Sequence, residues 1–92
     1  MSSAQLTADV APTPPYPALA LSEGMTGVVM LRISVDAQGR PIDGRIEKSS
    51  GSRLLDQAAL KFVLAKWHFN PAMQGTTAVE SVALVPISFS LD

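Results

Sequence analysis

Hydrophobic and polar residues alternate in two neighbouring stretches of the chain, and a period of two predicts β-strands. In residues 28–35 every second position is Val, Leu or Ile. In residues 42–49, Ile42 and Ile46 alternate with charged residues. The intervening segment 36–39 ends in glycine and is predicted to be a turn, so the two strands form a β-hairpin.

Helical periodicity replaces this alternation from Arg53 to about His68, where apolar residues recur at a spacing of three or four. The break at residues 49–52 is rich in serine and supplies a helix cap. Asn70-Pro71 is expected to end the helix, because a residue before proline avoids the α region. Pro17 and Gly24 bracket a second, shorter helix near the N-terminus.

The last segment, from Ala78 to about Leu91, is predicted to be one long strand with an apolar face. The element order then predicts an α+β fold with a β-β-α-β core and a short N-terminal helix. In this fold a three-stranded antiparallel sheet packs on one long helix. Residues 1–15 are small, polar and Pro-rich, which predicts the end of a linker and a folded domain over 16–92.

Composition narrows the classes of function. The chain has 92 residues, which fits one domain, and a net charge of −1 with no cluster of basic residues. Such a balance gives no electrostatic reason to bind nucleic acid or anionic lipid. The absence of cysteine excludes disulfides, thiolate metal sites and cysteine nucleophiles. No apolar run approaches the roughly 20 residues that span a bilayer.

The ionisable residues do not form a recognisable catalytic or metal-binding pattern, so the chain is predicted not to be an enzyme and to need no cofactor. His68 is the only histidine, and a position at a helix end explains it as a favourable cation or a packing residue. Asp36 fits a turn, Asp43 an outward strand position, and Asp56 the first turn of a helix. No metal-binding or phosphate-binding motif accompanies them.

Pro86 lies inside the predicted last strand, and proline within a sheet belongs on an edge strand or at a bulge. Two compatible interpretations remain open. The proline blunts an edge that would otherwise aggregate, or the edge receives a strand from a partner protein. In the second case the even-numbered residues would face the partner. The residues predicted to bind it are Glu80, Val82, Leu84, Pro86 and Ser88.

Short motifs occur along most of the chain, from about Pro14 to Leu91. They are Tyr16-Pro17, Gly24 with Gly27-x-Val29, Val35-Asp36-x-x-Gly39-Arg40, Ser49-Ser50-Gly51, Leu55-Asp56-x-Ala58-Ala59, Trp67-His68-Phe69-x-Pro71 and Val85-Pro86-Ile87-x-Phe89. In this order and spacing they resemble the C-terminal domain of the TonB family, the energy-transducing proteins of Gram-negative bacteria. His68 is a mild departure, since the family usually has a basic residue between the two aromatics.

The resemblance implies a non-enzymatic periplasmic domain of an inner-membrane-anchored protein, whose anchor lies outside this sequence. Such proteins work with ExbB and ExbD and couple proton-motive force to outer-membrane transporters of siderophores, haem, cobalamin or similar nutrients. The transporter's TonB box is expected to add as a strand to the last strand of the domain. Tyr16 and Pro17 are also implicated in this contact, although Tyr16 equally fits a packing residue.

An alternative function stays open at this point. Exposed strand edges pair with themselves, and a long final strand favours dimerisation or strand swapping. The same fold also serves other roles, so a homodimerising or structural module of another envelope system remains an alternative.

Overall fold

A computed structural model describes residues 8–91 and confirms the predicted α+β class. The part of the predicted linker before residue 8, and residue 92, lie outside the described residues. The elements in chain order are β1 (Ala8–Val10), α1 (Ala18–Ser22), β2 (Gly27–Val35), β3 (Pro41–Lys48), α2 (Arg53–Lys66), β4 (His68–Phe69), β5 (Ala72–Gln74), β6 (Thr77–Val79) and β7 (Ser81–Phe89).

The main sheet contains three antiparallel strands in the order β3-β2-β7. Strand β2 is central, and β7 pairs with it without interruption from Gly27 opposite Phe89 to Val35 opposite Ser81. The strict alternation of β2 buries its odd-numbered side chains completely on one face, which is therefore the inner face of the sheet. Within residues 8–91, each of the two outer strands, β3 and β7, has one edge that pairs with no other strand of this sheet.

The pairing of β2 with β3 is less regular, and it corrects the prediction for Ile42. The register passes from Ser34 opposite Asp43 to Val35 opposite Pro41, so Ile42 is the extra residue of a bulge. Its side chain is 56% exposed, whereas Ile46 packs against the core as the alternation predicts.

Helix α2 begins where the serine-rich break predicts, because the Ser52 hydroxyl accepts a hydrogen bond from the Leu55 N–H at 3.3 Å. The helix packs against β2 and β3. Its approach to β3 is close enough that a Cβ on Gly44 would lie 2.8 Å from Ile33 Cδ1 and 3.0 Å from Leu60 Cδ1. Glycine at this position therefore sets the helix-to-sheet distance.

The predicted end of α2 at His68 is wrong by two residues. Trp67 already has extended backbone angles, and His68–Phe69 form the short strand β4. The Phe69 N–H donates to the Gly39 carbonyl at 2.8 Å. This contact joins β4 to the turn of the β2–β3 hairpin, and a tertiary contact of this kind ends the helix before the proline signal would.

The prediction of one continuous strand from Ala78 to Leu91 is also wrong. The partner strand β2 ends at Val35, opposite Ser81, so residues before 81 have no partner in the main sheet. They pair instead with β5 in a hairpin that turns at Gly75, whose φ is +66°. Glu80 lies between β6 and β7 and belongs to neither strand.

The segment before α1 packs on the domain. Strand β1 pairs with β4, and Trp67 Nε1 donates to the Pro12 carbonyl at 2.9 Å. The Tyr16 ring lies edge-on against Phe89, with ring centroids 5.3 Å apart. Helix α2 thus covers the β2–β3 side of the inner face, and the N-terminal segment contributes to the cover over β7. The predicted domain boundary at residue 16 stays a prediction, but the packing extends upstream to Ala8.

Candidate functional site

The outer edge of β7 is open over the described part of the chain. The strand is the last in its sheet, and no backbone hydrogen bond among residues 8–91 joins this edge to another segment. Its nine residues, Ser81–Phe89, include no charged side chain. An open edge of this length, without charges, leaves a row of backbone donors and acceptors available to a further strand.

Pro86 indicates which residues of β7 face this edge. It stands opposite Met30, and the register with β2 continues without a bulge on both sides of this pair. Because proline has no N–H, the uninterrupted ladder fits a non-hydrogen-bonded pair at this position. The backbone groups of the even-numbered residues would then point away from β2, toward the open edge. Pro86 leaves one gap in the donors of that row.

The side chains of the same even-numbered residues lie on the outer face of the sheet. Val82 is 41% exposed and Leu84 is 56% exposed, whereas the odd-numbered residues between them are buried. Val28 and Met30 of β2 lie opposite Ser88 and Pro86 and extend this apolar surface across two strands. The outer face beside the open edge is therefore apolar around Val28, Met30 and Pro86, whereas Arg32 and Ser34 stand opposite Leu84 and Val82. It has no covering layer among the described residues.

The structure brings together four of the seven residues that the sequence predicts for the site. Val82, Leu84, Pro86 and Ser88 follow one another along one face of β7. Glu80 precedes the strand and is outside the ladder. A role for these residues in partner binding stays a prediction.

Tyr16 and Pro17 lie at the other end of the strand, near Phe89. The Tyr16 hydroxyl donates to the Met25 carbonyl, and its ring packs on Phe89. Pro17 occupies the N-cap position of α1. The contacts of Tyr16 fix the N-terminal segment against the sheet, whereas the Pro17 carbonyl accepts a hydrogen bond from Leu21 within α1. Any contact with a partner would be additional.

Sequence reasoning missed a cleft beside the strand. It has a volume of about 280 Å³ and lies between the N-terminal segment and the C-terminal half of β7, with Trp67 in its wall. The Pro-rich segment that forms the opposite wall looks like a linker in sequence. The one sequence signal for its packing is Trp67, an aromatic residue directly after α2, and this signal does not show which segment of the chain Trp67 contacts.

His68 connects three parts of the chain. Its Nε2 lies 2.9 Å from the Gln38 carbonyl in the hairpin turn, and its Nδ1 lies 3.3 Å from the Asp9 carboxylate in β1. His68 was predicted at a helix end but lies in β4, where its side chain contacts the hairpin turn and β1. The described residues contain no group of three or more His, Asp or Glu side chains that would hold a metal ion.

The two buried aspartates are occupied in local structure. Asp36 accepts hydrogen bonds from the backbone N–H groups of Arg40 and Gln38 in its turn. The hydrogen bond from the Arg40 N–H is the main reason why the pKa of Asp36 lies below its ordinary value, with burial acting in the opposite direction.

Asp56 joins the end of β3 to the start of α2. It accepts hydrogen bonds from the Ser49 hydroxyl at 2.5 Å and from the Ser50 N–H at 2.9 Å. Burial raises the pKa of Asp56, but the hydrogen bonds from Ser49 and Ser50 together outweigh it and leave the pKa below its ordinary value.

Two proteins with similar sequences match most of this chain. It is 47% identical over 81 residues to Protein tonB2 of Pseudomonas aeruginosa, which is 88% of this chain and 30% of that protein. It is 38% identical over 79 residues to Protein TonB of Vibrio cholerae, which is 86% of this chain and 32% of that protein. The chain therefore spans about a third of the length of these relatives. No described helix has both the length and the hydropathy to cross a membrane.

Fold comparison and family comparison agree with these matches. The solution NMR structure of the Pseudomonas aeruginosa TonB CTD superimposes with a TM-score of 0.75 at 25% identity, covering 100% of this chain and 92% of that one. The family model described as Gram-negative bacterial TonB protein C-terminal matches residues 12–91. The chain belongs to the TonB C-terminal domain family.

Proposed function

We propose that this domain is the periplasmic end of a TonB-type energy transducer and binds the TonB box of outer-membrane transporters by strand addition to β7. The observation that carries the proposal is the open edge of β7, a nine-residue strand without charged side chains whose register with β2 is continuous. Family membership supports the same function. The physical task is binding and release rather than catalysis.

The energetics of such a contact favour weak binding. An added strand would form about four to six backbone hydrogen bonds, each contributing a net ~0.5–1.5 kcal/mol. Side-chain burial must then offset an association cost of roughly 4–15 kcal/mol. We therefore expect dissociation constants in the micromolar range and a modest dependence on peptide sequence, because backbone groups supply much of the contact.

The wider role is proposed from the family. The parent protein would have an inner-membrane anchor and a Pro-rich linker, and it would work with ExbB and ExbD. Proton-motive force would thereby reach transporters of siderophores, haem, cobalamin or similar nutrients. A weak, reversible contact suits this role, since the transducer must engage and release its transporters.

Titration of the isotope-labelled 92-residue chain with a synthetic TonB-box peptide, followed by NMR, tests the proposal. We expect the largest chemical-shift changes along β7 and in the adjacent outer face at Val28 and Met30. Changes confined to residues far from 78–90, or no binding at millimolar peptide, would contradict strand addition at this edge.

Self-association is the second candidate function, and the open edge with the exposed Val82 and Leu84 side chains favours it. Two copies would pair β7 edge to edge in a two-fold arrangement. Analytical ultracentrifugation across a concentration range separates the two functions. A tight dimer that binds no peptide supports the second, and a monomer that binds peptide supports the first.

A further inference from the structure

The cleft beside β7 offers a place for part of an added strand. One wall is formed by Ala11 and Thr13 of the N-terminal segment, and the other by the C-terminal half of β7, including Pro86 and Ser88. Trp67 lies between these walls. The volume of about 280 Å³ leaves room for a side chain between the segment and the strand edge.

The wall opposite β7 is held in place at both ends. The Trp67 indole donates to the Pro12 carbonyl at 2.9 Å, and β1 pairs with β4 just before this point. Beyond the cleft, the Tyr16 ring packs on Phe89. The cleft is therefore formed before any ligand arrives, which lowers the ordering cost of filling it.

The pleat of the sheet determines which ligand residue would reach the cleft. Ile87 points to the inner face, since its side chain is only 6% exposed. A residue placed opposite Ile87 on an added strand has its side chain on the same face, with its Cβ about 5 Å away. That position lies beside β7 on the inner side, where the cleft opens.

We propose that the cleft is a specificity pocket for one residue of the bound strand, the residue opposite Ile87, and that it selects an uncharged side chain. The proposal rests on the proposed function, because it requires a strand on the β7 edge. No charged side chain among residues 8–91 lines the cleft, and the Trp67 indole N–H in its wall is already bound to Pro12. A charged ligand residue would lose hydration there without gaining an opposite charge.

A double-mutant cycle between protein and peptide tests the pocket. On the protein side, Thr13→Trp fills the cleft, and Thr77→Trp places the same change on the distant β5–β6 hairpin as a control. The probe is a synthetic TonB-box peptide together with variants in which each residue is replaced in turn by Ala or Asp. Peptide affinity is measured by fluorescence anisotropy, and NMR checks that each protein variant is folded.

We expect Thr13→Trp to weaken binding of the parent peptide about tenfold, because it fills the space for one side chain, and Thr77→Trp to leave it unchanged. The Ala replacement at one peptide position should abolish the difference between wild type and Thr13→Trp. The Asp replacement at that same position should weaken binding to the wild type about tenfold or more. Ala11→Phe fills the cleft from its other end and gives a second variant if Thr13→Trp does not fold.

The outcomes separate this inference from the proposed function. If no peptide binds the wild type, strand addition itself is contradicted. If peptides bind along β7 but ignore both Thr13→Trp and Ala11→Phe, the pocket is contradicted and the edge contact stands. Equal sensitivity at every peptide position also contradicts a pocket for one residue.

Discussion

The open edges of the two outer strands differ in charge and in the regularity of the strand that carries them. Strand β3 has four charged residues among its eight, and its register with β2 shifts twice. Strand β7 has no charged residue among nine, and its register does not shift. Charges and bulges are the usual means of preventing a strand edge from pairing with another chain.

This difference indicates that the β3 edge is protected and the β7 edge is available. Helix α2 packs closely on β3 through Gly44, whereas the cover over β7 includes the N-terminal segment, which leaves a cleft beside the edge. Pro86 removes one donor from the row and leaves the other positions of the edge available. The following predictions test this asymmetry between the two edges.

The largest effect on stability is expected when proline replaces a residue of β7 whose N–H bonds to β2. Val85→Pro should lower the free energy of unfolding by about 3 kcal/mol or more, because it removes a ladder N–H and disturbs a buried position. Leu84→Pro should cost much less, since its N–H faces the open edge. Urea denaturation of both variants measures the contrast. Equal losses would show that the assigned parity is wrong.

Leu84→Pro should have a small effect on stability but a large effect on peptide binding. Leu84→Pro removes a backbone donor that the ligand strand needs, and we expect its affinity for a TonB-box peptide to fall below detection. Leu84→Ala keeps the N–H and serves as the matched control, with a loss of about tenfold or less. Isothermal titration calorimetry gives both affinities. Equal binding by the proline variant and the wild type would contradict a backbone contact at residue 84.

On the β3 side, Gly44→Val should destabilise the fold without changing peptide affinity. The added side chain would press against Ile33 and Leu60 under α2, and overpacking of this kind typically costs about 1–3 kcal/mol. Arg45→Val is a control on the neighbouring exposed position and should change stability by about 0.5 kcal/mol or less. Thermal unfolding and a peptide titration measure the two quantities, and weaker peptide binding by a folded Gly44→Val would show that β3 participates.

Acid should weaken the β3–α2 junction before it affects the β7 edge. The pKa of Asp56 is lower in the folded chain than its ordinary value of 3.8, so its contribution to stability is present above that value and lost as pH falls through the folded pKa. Strand β7 contains no ionisable side chain. Asp56→Asn should therefore reduce stability at neutral pH by about 1–3 kcal/mol and flatten the loss below pH ~4. An unchanged acid profile would exclude this role for Asp56.

Local patterns in the sequence predicted the elements that depend on residues close to one another in the chain. Strand β2 and helix α2 follow from alternation and helical spacing, and the edge position of β7 was suggested by Pro86. The two alternating strands needed only a short turn to become neighbours. These features depend on residues close in sequence, and the structure confirms them.

Contacts between distant segments were not predictable in the same way. Strand β4 pairs with β1 and also bonds to Gly39 through Phe69, and residues 77–79 pair with β5 beyond the point where the β2–β7 ladder ends at Val35. The exposure of Ile42 depends on a bulge that alternation alone does not reveal. The cleft requires Trp67 to bond with Pro12, which is far away in sequence. Each of these outcomes depends on tertiary pairing rather than on local propensity.

Hydrogen exchange with and without peptide shows which strand edge receives the added strand. In the free chain, the amides of Val85 and Ile87 should be protected by the ladder with β2, whereas those of Val82, Leu84 and Ser88 should exchange rapidly. Saturating TonB-box peptide should slow exchange at these three edge amides and leave the β3 edge unchanged. Protection that appears along β3 instead, or no change along β7 in a saturated complex, would contradict strand addition at this edge.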